Sequence, residues 1–150
     1  MTESFGFLLS DTARLLRRRF DERARALGTT RAQWKALLGI SRTPGINQGG
    51  LAERLEVEPI TLCRLIDRME EAGLVERRRD PGDRRAWQLF LTDRAHPILV
   101  DLRAIADDLS AHALAGLSPE TIEGVAQALD RIRANLNAPA QDDKQDAAHG

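Results

Sequence analysis

Behind Pro59, the side chains of Thr61, Arg64 and Arg68 recur at three- and four-residue steps, so on a helix they project together. Further along, Arg77, Arg78, Arg79, Arg84 and Arg85 stand against only Asp80 and Asp83. A guanidinium on an exposed helical face can pair bidentately with guanine in a major groove, and a narrow basic turn can enter the adjacent minor groove. The plainer alternative is a solvated helix beside a charged surface hairpin. Catalytic chemistry finds less support. There is no glycine-rich phosphate loop, no nucleophile motif and no tyrosine. The acidic pairs at 70–71, 107–108 and 142–143 are adjacent residues, which diverge on a helix and form no carboxylate dyad. Asp93 with His96, and Asp108 with His112, could each share a helix face. With no cysteine pair they make a thin metal site, and solvated helix residues are the simpler reading.

The elements that must carry these groups follow from periodicity and stop signals. Pro59 suits a first helical position, Leu62, Leu65, Ile66 and Met69 form the buried stripe, and Gly73 ends the helix. Leu74 and Val75 open a strand, and Trp87, Leu89 and Leu91 alternate as a second strand with one buried face. The intervening Asp80-Pro81-Gly82-Asp83 is turn chemistry, with Arg84 and Arg85 at the tip. Upstream, Asn47 caps a short helix through Leu55, with Ile46 and Leu51 placed as a hydrophobic staple and Gly49 and Gly50 weakening the first turn. A brief turn at Glu56-Val57 then makes the pair a helix-turn-helix, and the hairpin makes it winged.

Longer helices flank this lobe. Phe5, Leu8, Leu9, Leu15, Leu16, Phe20 and Leu27 fall near one face of the first, ringed by Arg14, Arg17, Arg18, Arg19 and Arg23 and ended by Gly28. Thr30 and Gln33 form a capping box for the second, whose apolar side is Trp34, Leu37 and Leu38, before the break Thr43-Pro44-Gly45. Thr92 can cap a fifth helix stepping through Ile98, Leu102, Ile105, Leu109 and Ala113. Pro97 removes a donor there, which predicts a late start or a kink. Ser118-Pro119 opens a sixth through Ile122, Val125, Leu129, Ile132 and Leu136, and the polar tail beyond is expected to be disordered.

The 150 residues are 42% hydrophobic and 30% charged with net charge −1, the composition of one soluble globular domain whose basic surplus is local. No apolar run reaches membrane-spanning length, and the N-terminus lacks the layout of a signal peptide. The lone Cys63 excludes an internal disulfide framework and reads as a small half-buried apolar residue rather than a redox switch. Cytoplasmic residence is the default. A winged motif does not need three long amphipathic helices for its own core, so their spare faces are expected to meet a second copy of the chain. The alternative is a monomer with a larger helical core. Twofold symmetry would set two recognition helices roughly 34–36 Å apart, in successive major grooves.

QGGLAERL (48–55), TLCRLIDRMEEAGLVER (61–77), DPGDRRA (80–86) and LTD (91–93) together resemble the MarR family of bacterial transcription regulators. LLRRRF (15–20), TRAQW (30–34) and LSPE (117–120) extend the likeness to about residues 5–136. The resemblance implies a mostly α fold with a small β wing, a winged helix-turn-helix with N- and C-terminal dimerisation helices. It divides the chain into a DNA-binding lobe, 29–97, a helical dimerisation region, 1–28 and 98–137, and the tail, 138–150. It implies a homodimer on a pseudo-palindromic operator in double-stranded DNA, usually a repressor released by a small ligand, with no cofactor and no membrane partner. Arg85 would enter the minor groove, held in shape by Asp83. Thr61 and Arg64 would sit in the major groove with Arg68 nearer phosphate, and Arg77, Arg78 and Arg84 would contact phosphate or water. Arg17 and Trp34 could hold an aromatic carboxylate or its coenzyme A thioester, unless Trp34 is core and Arg17 solvated. Two departures stand out. His96-Pro97 occurs where members often carry glycine, and the first helix lacks the cysteine of the peroxide-sensing branch. A metal-responsive or protein-interaction module of the same fold is the alternative.

Overall fold

The computed structural model describes residues 3–139, and all but Ala138 and Pro139 of the tail expected to be disordered lies outside them. The chain forms two units, one ending at Ala113 and one beginning at Leu114. In the first, α1 (Phe5–Ala26), α2 (Arg31–Arg42), α3 (Gln48–Leu55) and α4 (Pro59–Glu71) precede an antiparallel hairpin. The hairpin, β1 (Val75–Arg79) with β2 (Trp87–Leu91), is followed by a 3-10 turn (Asp93–Ala95) and α5 (His96–Ala113). The second unit contains α6 (Pro119–Asn137). Mostly helical with a two-stranded wing, this is the winged helix-turn-helix fold expected from the sequence.

The helix signals act as written. Thr30 Oγ1 accepts the Gln33 N–H while Gln33 Oε1 accepts the Thr30 N–H, closing the capping box of α2. Asn47 Oδ1 accepts the Gly50 N–H at the start of α3, and Ser118 Oγ accepts the Thr121 N–H at the start of α6. Gly73 takes φ +76°, so the Leu74 N–H can reach back to the Met69 carbonyl and end α4. The same left-handed stop closes α3, but on Glu56 at φ +55°, a conformation costing a side-chain-bearing residue about 1–2 kcal/mol. α5 starts late, as Pro97 predicts, at His96 rather than directly after Thr92. The 3-10 turn takes up the chain after Thr92, which leaves Pro97 second in the helix, where a missing N–H breaks no bond.

One core joins the first unit: Leu37 and Ile40 of α2, Leu51 of α3, Leu62, Ile66 and Met69 of α4, Leu89 of β2 and Leu102 of α5. From α1 only Phe20 and Ala24 are buried, and Phe5, Leu8, Leu9, Leu15, Leu16 and Leu27 are exposed. The apolar face predicted for α1 is therefore present but lies largely outside this core. α6 buries no residue, and its Val125, Leu129 and Leu136 are exposed. Among the described residues no helix is long and apolar enough to cross a membrane.

Candidate nucleic-acid interface

α4 presents opposite faces to the interior and to solvent. Leu62, Ile66 and Met69 are buried and Leu65 is half-buried, while Thr61, Arg64 and Arg68 are exposed. Among the described residues the Arg64 guanidinium has no hydrogen-bond partner, and Arg68 makes one long contact, Nε to the Arg64 carbonyl at 3.4 Å. Their donors are free to meet a ligand.

The wing is held at its base and open at its tip. β2 is tied to the α2–α3 linker through the Gly45 N–H to the Leu89 carbonyl and the Leu89 N–H to the Ile46 carbonyl, both 2.9 Å. At the tip, Asp80 Oδ1 accepts the Gly82 N–H at 2.8 Å and Asp83 Oδ1 accepts the Arg85 N–H at 2.9 Å. Asp83 thus shapes the backbone from which Arg85 projects. Arg84 offers its carbonyl to Arg79 Nη1 at 3.0 Å, and the side chains of Arg84 and Arg85 have no hydrogen-bond partner among the described residues.

The other wing arginines are committed. Arg78 pairs with Glu76 and lies over the Phe90 ring, 4.2 Å from its centroid. The hydrogen bond from Arg78, reinforced by its charge, holds the Glu76 carboxyl below the usual range and the Arg78 guanidinium above its own. Arg79 covers the Trp87 ring at 4.8 Å. Trp87 itself corrects an expectation. At 36% exposed it stacks with the wing's own arginine at the rim of an open cleft shared with Gln48, Cys63, Asp67 and Glu70, and only Leu89 of its face is fully buried.

Arg77 is the larger correction. Opposite Leu89 in the register, it points back to the lobe, with its side chain only 12% exposed. Nη1 meets Asp67 Oδ1 at 2.7 Å and Glu70 Oε1 at 3.3 Å, Nε meets Gln48 Oε1 at 3.1 Å, and Nη2 meets the Cys63 carbonyl at 3.2 Å. Its fifth N–H, the second on Nη2, lies 3.9 Å from Cys63 Sγ, so this guanidinium is spent inside the lobe rather than on phosphate. Gln48, Asp67 and Glu70 carry no local signal of this contact, though strand parity puts Arg77 on the Val75–Leu89 face.

The proposed effector pair also separates. Trp34 is 9% exposed, its indole N–H bonds Asp21 Oδ1 at 2.7 Å, and its ring meets Phe20 edge-on at 4.6 Å. Its face is spent on the core, and Arg17 stays exposed on α1. Neither lines the cleft of about 190 Å³ formed by Leu27, Thr29, Gln33, Leu37, Leu74, Ile98 and Asp101. Among the described residues no three histidine, cysteine, aspartate or glutamate side chains gather to hold a metal ion, and Asp108 is paired with Arg23.

Comparison with known proteins places this geometry. A model of the MarR family matches residues 29–87, the span from α2 to the first residue of β2. The solved structure of the transcriptional regulator PA3341 is 38% identical, superposes with a TM-score of 0.77, and is matched over 89% of this chain and 98% of its own. Wild-type MarR from E. coli, in its apo form, is 25% identical with a TM-score of 0.77, over 88% of this chain and 98% of its own. A mutant of S. aureus MepR bound to an oligodeoxyribonucleotide shares the fold at 20% identity and a TM-score of 0.58, over 90% of this chain and 99% of its own.

Proposed function

The chain belongs to the MarR family of transcriptional regulators, which are not enzymes, and from that premise we propose that it is a homodimeric, sequence-specific repressor of transcription. The observation that carries the DNA contact is the pattern of uncommitted cations. Around the winged lobe Arg77 and Arg78 are ion-paired and Arg79 is stacked, while Arg64 on α4 and Arg84 and Arg85 at the wing tip have no side-chain hydrogen-bond partner among the described residues. In this reading Thr61 and Arg64 meet base edges in the major groove, Arg68 and Arg84 meet phosphate, and Arg85 enters the minor groove from the turn that Asp83 shapes. The S. aureus MepR complex with an oligodeoxyribonucleotide is consistent with a nucleic-acid ligand for this fold.

Dimerisation rests on the apolar surface left uncovered on α1 and α6. The segments 1–28 and 98–137 serve it, and 29–97 is the DNA-binding lobe. A small ligand that prefers the form unable to hold the operator would relieve repression. The cleft bounded by Leu27, Leu37, Ile98 and Asp101 replaces the Arg17–Trp34 pair as its seat. Its one charged lining group is a carboxylate, so an uncharged or cationic ligand suits it better than an aromatic acid. Coenzyme A is too large for about 190 Å³.

The test is selection of duplexes from a random-sequence pool, followed by titration of the best one. The expected product is a palindrome bound by two protomers. Arg64→Ala should relax preference at one base position per half-site by about 1–3 kcal/mol. Arg85→Ala should weaken binding without changing the fold. No enriched sequence, or both variants binding like the parent, would overturn the assignment.

A further inference from the structure

The corrected role of Arg77 leads to a function of its own, which rests on the DNA-binding reading above. β2 is fixed to the lobe through backbone bonds to residues 45 and 46, whereas the outer edge of β1 faces α4. There the Arg77 N–H bonds Glu70 Oε2 at 3.2 Å and its side chain grips Cys63, Asp67 and Glu70. These three residues lie four and three apart, on one face of α4, and Gln48 adds a hold on the first turn of α3. One planar group therefore ties the wing to both helices of the helix-turn-helix, at the base of a lever whose tip carries Arg85. We propose that Arg77 is the positioning residue that sets the wing against α4, so that Arg64 and Arg85 engage one duplex together.

The lever makes small errors costly. From Arg77 to the turn the strand rises about 3.3 Å per residue, an arm of roughly 10 Å, so a tilt of about 10° at the base carries the tip by nearly 2 Å. That displacement exceeds the tolerance of a hydrogen bond. Arg77 also offsets part of the charge of Asp67 and Glu70, whose side chains are half-exposed beside the recognition face and would otherwise repel phosphate more strongly. Lysine would keep that charge but lose the planar fork that reaches several acceptors at once. Arg77→Lys thus separates geometry from charge.

The experiment is a double-mutant cycle on the duplex that the parent selects, with affinities read by fluorescence anisotropy and melting followed in parallel. In the parent, Arg85→Ala should weaken binding about tenfold or more. In the Arg77→Lys background it should cost less than about threefold, because the tip is already out of register, while Arg64→Ala costs the same in both backgrounds. A purely structural arginine would lower the melting temperature and leave both ratios alone. If Arg77→Lys does not fold, the double variant Asp67→Ala/Glu70→Ala releases Arg77 from solvent-exposed partners and should shrink the cost of Arg85→Ala in the same direction. An undiminished cost of Arg85→Ala in the folded background overturns the positioning role alone. A parent that selects no duplex, or that is indifferent to Arg85→Ala, overturns the DNA-binding reading and this inference with it.

Discussion

At the scale of the residue, the wing turn opposes two effects of one side chain. Asp83 puts a negative charge near the proposed minor-groove arginine, and its carboxylate also accepts the Arg85 N–H at 2.9 Å. Deleting the side chain removes both. The lost turn bond should cost on the order of 0.5–1.5 kcal/mol, whereas an exposed charge pair in water is typically worth about 0.2–1 kcal/mol and is weakened further by salt. Geometry should win: Asp83→Ala should weaken duplex binding by roughly three- to tenfold, while Asp83→Asn, which keeps an acceptor oxygen, should bind as tightly as the parent or tighter. Tighter binding by both variants, in an anisotropy titration, would show that charge dominates. The same scale marks where residue types mislead. The exposed face of α4 was readable because helical spacing separates it from Leu62, Ile66 and Met69 without knowledge of any neighbour. Arginine content alone does not separate Arg77 from Arg84, because what tells them apart is the parity of the strand and the acceptors on α3 and α4, which only folding brings near.

The elements carry their own punctuation, and most of it was legible. The capping box at Thr30, the cap at Asn47 and the stop at Gly73 are local chemistry, decided within a few residues. The stop at Glu56 was not legible, because nothing about glutamate announces φ +55°. Hydrogen bonds from the Glu56 N–H to the Glu53 carbonyl and from the Val57 N–H to the Ala52 carbonyl impose it. That position lies in the turn between α3 and α4, so its strain sits inside the helix-turn-helix. Glu56→Gly should remove it and stabilise the protein by up to about 1 kcal/mol, a rise in melting temperature of roughly 2–4 °C. An unchanged or lowered transition in scanning calorimetry would mean that the entropy of a freer unfolded chain outweighs the relieved strain. Thr30→Ala should act in the opposite sense, costing about 1 kcal/mol through the lost cap of α2.

For the whole molecule, the undecided matter in the sequence was where the apolar faces of the terminal helices go, since periodicity shows that a face exists and not what covers it. In the structure, α1 leaves Leu8, Leu9, Leu15 and Leu16 exposed, and α6, nineteen residues long, buries none of its side chains. A helix of that length is marginal in water on propensity alone, and burying one leucine is worth about 1.5–3 kcal/mol. Coverage by a second copy would account for both faces, with an energy that a single charge can test. Leu129→Glu, in the middle of α6, should leave the helical signal of the folded chain intact but place an unpaired carboxylate in the proposed interface, at a cost exceeding the leucine's contribution. Sedimentation should then show a monomer at concentrations where the parent is a dimer. Operator affinity should fall by a factor of about 10²–10⁴, because two half-sites joined in one molecule gain that much from effective concentration. Leu8→Glu on α1 should repeat both effects independently. If either variant sediments and binds the full operator as the parent does, its helix face is free surface. If both do, the regulator does not hold its recognition helices as a pair through these faces.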